Sequence, residues 1–480
     1  MLTLFWGVGI NCQEWEFFMN THIDSPYARR FTDAIELQDG SIVVNSPFNL
    51  PIEGHASVPH PGLVKISADG IELVRNNYFR PAYCSISYNQ ILENEDGELF
   101  TLMTYSPDHE KMSDNYFQNF DNPPTNAILG LYKLDDELNI VESYEHYIPI
   151  DTTERLNNPQ YTMPNESSGR LYLFTSFIDN SGDIVGSFFK CPTFHSPNQA
   201  EIDSMFFFKM NFEGEILQMK GIEYLGGHGD YWRHRGHSMV ETDLHYILYQ
   251  VLEHNDYNFS FIPSGEAWYF DKDMNFVDKK AINQPGYTMP TTSSLDYVSA
   301  VRSKHNTVYL TAVTRSVENP SGENYFDTRL YEIDDNLDNS TELLPIVNYI
   351  ERGTPDKDEF QPFNNGIILR DDNTLIHVQN WNADVYYKNT DSWVVIEHLD
   401  ENFETISEMY YTSGEDGNYI EVNSIVPTKN EDLLLVGNAN SLNGDKSWNF
   451  VTKFPASAFV NIEEAHAHNL HLAVAYPNPG

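Results

Sequence analysis

Cysteine is nearly absent from this chain. Cys12, Cys84 and Cys191 are three in 480 residues, too few and too far apart for a disulfide framework. They also lack the Cys-x-x-Cys spacing of a zinc knuckle. If Cys12 leaves with a leader, the other two could pair or stay as small buried hydrophobes. Basic residues are scarce as well: 28 Lys and Arg stand against 71 Asp and Glu, for a net charge of −43. That balance disfavours nucleic acid and anionic membrane surfaces as partners, since phosphates need a basic footprint. No apolar run approaches the roughly 18 residues that span a bilayer, so no transmembrane segment is expected. Segments of 3.6-residue periodicity are almost missing, which argues against an α/β alternation.

What is present suits many short strands joined by turns. Aromatic residues make up 14% of the chain, with 29 Tyr, 29 Phe, 25 Pro and 27 Gly. The 40% hydrophobic content supports a real core rather than disorder. The stretch Gly62 to Asn76, GLVKISADGIELVRN, reads as two strands around Ala68-Asp69-Gly70. Asp-Gly between alternating apolar residues is a strong hairpin signal, because the turn needs φ > 0 and glycine supplies it without a Cβ clash.

Hairpins of two kinds alternate down the chain. In the first kind a polar turn leads into a very apolar strand, as in SIVV, LYLF, HYILYQV and LLLVG. Its turns are placed at Gly40, Gly97, Gly169, Asp243, Asn306, Asn373 and Glu431, a mean spacing of about 65 residues. The second kind, typified by GLVKISADGIELV, has an acidic turn and one exposed face. Its seventh copy, around Pro455-Ala456-Ser457, is degenerate. Two hairpins per unit make four strands, and a four-stranded unit repeated radially is a propeller blade. The expected fold is all-β, a seven-bladed β-propeller of four-stranded antiparallel blades over residues 14–464. Closing the ring removes free edges. The segment Glu14 to Met19, EWEFFM, is assigned as the outermost strand of the last blade.

The two ends carry an address. Leu2 to Ile10, LTLFWGVGI, reads as the apolar region of a signal peptide without its basic start, ending near residue 13; a buried first strand is the alternative. At the other end, Ala475-Tyr476-Pro477-Asn478-Pro479 follows a short apolar stretch. Tyr-Pro-Asn-Pro there resembles the first motif of the C-terminal sorting domain used by the type IX secretion system of Bacteroidetes. Residues 465–480 are accordingly taken as a linker and the truncated start of such a domain. The resemblance implies a secreted or outer-surface location and the type IX secretion machinery as a partner.

In a propeller the loops leading into the innermost strands gather around one mouth of the central channel. Here they are richer in Arg, His, Tyr and Gln than the acidic average, and candidate ligand-binding residues are Arg30, Tyr83, Tyr161, Tyr287 and Gln361. The densest stretch is GGHGDYWRHRGHSM, Gly226 to Met239, read as a glycine-rich loop that adds His228, Asp230, His234, Arg235 and His237. Such a loop could hold an anion with Arg, act as an acid or base, or cluster imidazoles. Nothing closes a zinc pattern and no stretch matches the DxDxDG loop, so no cofactor or metal is expected; Ca²⁺ in acidic turns and a His-bound metal are the only cation chemistries left to weigh. His55 and His60 are placed away from the mouth.

Enzyme signatures are missing: there is no GxSxG, HExxH, P-loop or GxGxxG, and no SxDxGxTW box of sialidase propellers. The expected role is a monomeric binding module for an extracellular glycan or protein at the channel mouth. The alternatives are a lyase or hydrolase using residues 228–237, and an adhesin scaffold.

Overall fold

The computed structural model describes residues 15–20, 31–50, 58–81, 83–85, 89–107, 126–149, 167–196, 199–200, 204–223, 231–255, 261–282, 295–303, 307–316, 325–335, 344–352, 359–360, 362, 364–381, 392–411, 418–441 and 447–458. Seven antiparallel sheets, each with a main path of four strands, form the seven blades of the expected propeller. Among the described residues the only helical element is a short 3₁₀ turn, Ala456–Ala458.

Blade 1 shows the plan. Ala34–Glu36, Ile42–Asn45, Gly62–Ile66 and Glu72–Asn77 lie in that order from the axis outward. The second strand is buried throughout, whereas the fourth is half-buried or exposed. Gly62 to Asn76 is therefore the outer half of this blade, and Gly70 turns with φ +79°.

The ring closes as the sequence predicts. Trp15–Asn20 pairs antiparallel with Ser447–Phe454, Trp15 opposite Lys453 and Asn20 opposite Trp448, as the outermost strand of blade 7. The chain after Phe454 turns through the 3₁₀ segment, and the rest of the degenerate seventh outer hairpin, from residue 459, lies outside the described residues. The segments 1–13 and 465–480, with Cys12 and the Tyr-Pro-Asn-Pro motif, lie outside the described residues.

Each gap between blades is filled by its own apolar cluster. Val43, Leu63, Met103 and Ile128 pack blades 1 and 2, and Phe207, Leu248 and Phe270 pack blades 3 and 4. Met19, Phe31, Val64 and Val436 pack blade 7 against blade 1. Burial on both faces is why the second and third strands read as continuous apolar runs.

The outer turns repeat one chemistry. Asp135, Asn211, Asp271 and Asp400 each accept a hydrogen bond from the backbone N–H four residues on. This side-chain bridge holds the next-to-last turn residue at positive φ. That residue is Gly70 or Gly214 in some blades and Leu138, Met274 or Phe403 in others. The non-glycine three place their side chains in the interblade core, fully or almost fully buried. At the glycines the neighbouring blade fills the space instead. A Cβ on Gly70 would meet the Trp15 ring at 2.8 Å, and one on Gly214 would overlap the Tyr144 side chain.

One inner turn differs from the reading above. Gly169 lies inside the first strand of blade 3, Ser167–Ile178, and the turn is at Asn180-Ser181-Gly182. Asp179 decides this, because its carboxylate accepts from the N–H groups of Ser181 and Asp183 while Gly182 takes φ +81°. LYLF is thus the innermost strand, not the second.

Candidate functional site

Innermost strands run from the mouth toward the first turn of each blade, so their first residues surround the channel opening. Four of them carry an irregularity along their length. Register shifts occur between Leu173 and Thr175, His234 and Gly236, Leu295 and Val298, and Val422 and Ser424. In blades 2 and 6 the strand is split instead, into Tyr83–Cys84 with Gln90–Glu93 and Glu359–Phe360 with Ile367–Leu369. Bulges re-aim side chains and end regular pairing, which is why they cluster at sites.

Behind this rim lies a cavity of about 380 Å³ to which all seven blades contribute, within the range of about 300–1,000 Å³ common for small-ligand sites. Its mouth end is polar, with Asp33, Gln90, Ser176, His237, Ser238, Asn364, Asn365 and Ser424. Val301, Leu369, Val426 and Pro427, one or two residues before the first turns, form an apolar floor, and Met239 lies level with Ser176.

Side-chain amides and hydroxyls hold the wall together by capping backbone groups of the next blade. Asn45 Nδ2 donates to Asn89 O at 2.5 Å, and Ser106 Oγ accepts from Leu171 N–H at 2.8 Å. Ser238 Oγ accepts from Ala300 N–H at 3.0 Å and Ser299 Oγ from Gly366 N–H at 3.1 Å. Asn380 makes both bonds to Val422, each at 2.8 Å. At the seam of blades 6, 7 and 1, Asn364 donates to Thr32 O and Asn423 to Phe31 O.

Asp33 is the carboxylate of this wall. Burial raises its pKa to about 6, against the hydrogen bonds from Ala34 N–H and the Ser424 hydroxyl at 3.2 Å, which favour the charged form. The side chain is partly open to the cavity but surrounded by protein. It can therefore offer either a proton or a carboxylate near neutral pH.

The candidate residues from sequence separate as follows. His237 lines the cavity. The stretch read as a loop from Gly226 to Met239 is, from Tyr231 on, the innermost strand of blade 4, because alternating residues here pair along Tyr246–Asn255. Arg235 is the residue left over at its bulge. The side chains of His234 and Arg235, and all of Arg30, Tyr161, His228, Asp230, Tyr287 and Gln361, lie outside the described residues. Tyr83 is 9% exposed, with the Arg80 guanidinium 5.1 Å from its ring centroid. Arg80 is itself paired with Glu145 on the outer strand of blade 2.

His60 corrects an expectation. It ends a short ribbon, Phe48–Leu50 with Val58–His60, which links the second and third strands of blade 1. That link rises from the same face as the loops around the mouth, because the second strand runs back toward it. His60 is fully buried, 4.8 Å from the Phe79 ring, and desolvation lowers its pKa to about 4. His55 lies outside the described residues.

Among the described residues no group of three or more His, Cys, Asp and Glu side chains is placed to hold a metal, and no helix is long and apolar enough to cross a membrane. Sequence reasoning passed over Asp33, Asn364 and Ser424. Asp33 and Asn364 come just before first-strand segments, whereas Ser424 lies inside Asn418–Pro427, so no shared position marked them.

No protein-family profile and no curated protein sequence matches the chain. Solved structures do resemble it. The polysaccharide lyase Uly1 is 12% identical with a TM-score of 0.47, covering 89% of this chain and 90% of its own. Drosophila Semaphorin 2a is 7% identical with a TM-score of 0.47, over 95% of this chain and 77% of its own. A protein of unknown function from Bacteroides caccae is 10% identical with a TM-score of 0.35, over 73% and 89%. The architecture is that of a seven-bladed β-propeller.

Proposed function

We propose that this protein is a secreted or cell-surface propeller that binds an extracellular glycan or protein ligand at its channel mouth. One observation carries the reading: a channel cavity of about 380 Å³ reached by all seven blades, with polar residues on the side toward the mouth and apolar ones next to the first turns. Converging neutral amides and hydroxyls around an apolar base suit a ligand with both hydroxyl groups and a hydrocarbon face. The location rests on the leader-like start and the Tyr-Pro-Asn-Pro tail, read as the beginning of a type IX sorting domain after the propeller at residues 14–464.

The test is a glycan and secreted-protein array followed by calorimetry on wild type and Gln90→Trp, a change that plugs the cavity. Ligand capture by wild type and its loss in Gln90→Trp is the expected result. Capture that is indifferent to the plug, or no capture at all, overturns the reading.

His237 on the cavity wall and the bulge at Arg235 favour a second reading, a carbohydrate-active lyase or hydrolase. Any glycan-degrading activity found would then fall on His237→Ala. Unchanged turnover in that variant removes this reading.

A further inference from the structure

Blade 6 presents an aromatic row on the mouth face, outside the channel cavity. Its second strand, Leu375–Trp381, runs toward the mouth and ends on Trp381. Its third, Trp393–Leu399, starts there with Trp393 directly opposite Trp381. Its fourth, Thr405–Tyr411, returns there with Tyr410. The Tyr410 ring stands edge-on to both tryptophans, at 5.7 Å from Trp381 and 6.4 Å from Trp393. Tyr410 is 37% exposed and the two tryptophans are half-buried. Neighbouring strands are about 4.8 Å apart, so the three rings run radially over about 10 Å.

The row is held by a hydrogen-bond chain in the interface with blade 5. Trp381 Nε1–H donates to Gln379 Oε1 at 3.0 Å, and Gln379 Nε2 donates to Glu397 at 3.0 Å. His377 Nδ1 lies 2.8 Å from Glu397, and its Nε2 is 3.1 Å from the Thr311 hydroxyl. The apolar cluster between blades 5 and 6 includes Tyr309, Leu375, Leu399 and Phe403, close to the first and outer turns. The mouth end of that interface therefore keeps a polar frame under exposed rings.

We propose that this row is a saccharide-stacking platform, on which a neutral oligosaccharide leaves the channel mouth and runs outward over blade 6. Aromatic faces stack on the C–H faces of sugars, and the exposed acceptor beside the rings, Glu408 at Tyr410, suits their hydroxyls. The carboxylates and the net charge of −43 disfavour an anionic chain. Three part-exposed rings are also far short of the roughly 1,200 Å² of a stable protein interface. The proposal rests on the glycan reading of the mouth but on different residues.

The experiment measures binding of cello-, xylo- and manno-oligosaccharides of two to six units by calorimetry and tryptophan fluorescence. Wild type is compared with Trp393→Ala, Tyr410→Ala, the ring-preserving Trp393→Phe and Tyr410→Phe, and Gln90→Trp. Affinity should rise with chain length in wild type, and the Ala variants should lose about tenfold for the longer chains. The Phe variants should keep most of it, and the shortest ligands should be unaffected. Affinity independent of length, or equal in wild type and the Ala variants, overturns the platform and leaves the channel reading standing. Loss of all binding in Gln90→Trp with no contribution from the aromatic variants does the same. No binding by wild type to any sugar overturns both.

Discussion

Asn423 Nδ2 donates to the carbonyl of Phe31 at 2.7 Å, joining residues 392 apart in sequence where blade 7 meets blade 1. The same amide lies 3.1 Å from Asn438 Oδ1, and Asn423 is buried. Asn423→Leu leaves Phe31 O and Asn438 Oδ1 each without that donor, at a cost of about 2–4 kcal/mol. Urea unfolding checks this, and a loss under 1 kcal/mol would mean the seam does not depend on it. Deleting residues 1–20 should do more, because Ser447–Phe454 would then become an open edge prone to aggregation.

Two glycines separate backbone strain from packing. Gly182 (φ +81°) has nothing within 4 Å of a built Cβ, so Gly182→Ala should cost about 1–2 kcal/mol from conformation alone. Gly214 (φ +75°) has the Tyr144 side chain where a Cβ would stand, so Gly214→Ala adds displacement of that ring and should cost clearly more. Equal losses in thermal unfolding would refute the view that the neighbouring blade fills this position.

His60 makes the fold sensitive to acid. Its pKa is about 4 when folded, below its ordinary 6.5, because burial disfavours the charged ring. Between pH 6.5 and 4 the unfolded chain takes up a proton here that the folded chain does not. Stability is therefore full above pH 6.5 and falls as pH drops through that window, by up to about 3 kcal/mol. His60→Leu should flatten this part of the pH–stability curve. An unchanged slope in denaturant titrations across the window would rule out the assignment.

Asp33 acts with the opposite sign. Its folded pKa of about 6 exceeds the ordinary 3.8, so between those values the folded chain holds the extra proton. Stability rises as pH falls from 6 toward 4, and the charged carboxylate is a burden at pH 7. Asp33→Asn should stabilise at pH 7 by up to about 2 kcal/mol, allowing for solvation through the cavity, and by almost nothing at pH 3.5. A loss of stability at pH 7 would show that Asp33 is better held than its surroundings imply.

The sequence by itself determined the architecture. Turn chemistry and strand alternation are written within about 15 residues each, and they need no distant partner to be recognised. Gly70, Asn373 and Glu431 sit at positive φ where the hairpin pattern places its turns, and the closing strand, Trp15–Asn20, falls within one residue of the segment read from sequence. Gly169 misled because a small residue before an apolar run resembles a turn, while the bridging carboxylate of Asp179 stood ten residues further on. The site was decided only by tertiary structure. Asp33, Gln90, His237, Asn365 and Ser424 come from five different blades, and each is an ordinary polar residue in or just before an innermost strand. Their meaning depends on the ring that brings them around one cavity. The same holds for Trp381, Trp393 and Tyr410, which become a row because neighbouring strands lie side by side.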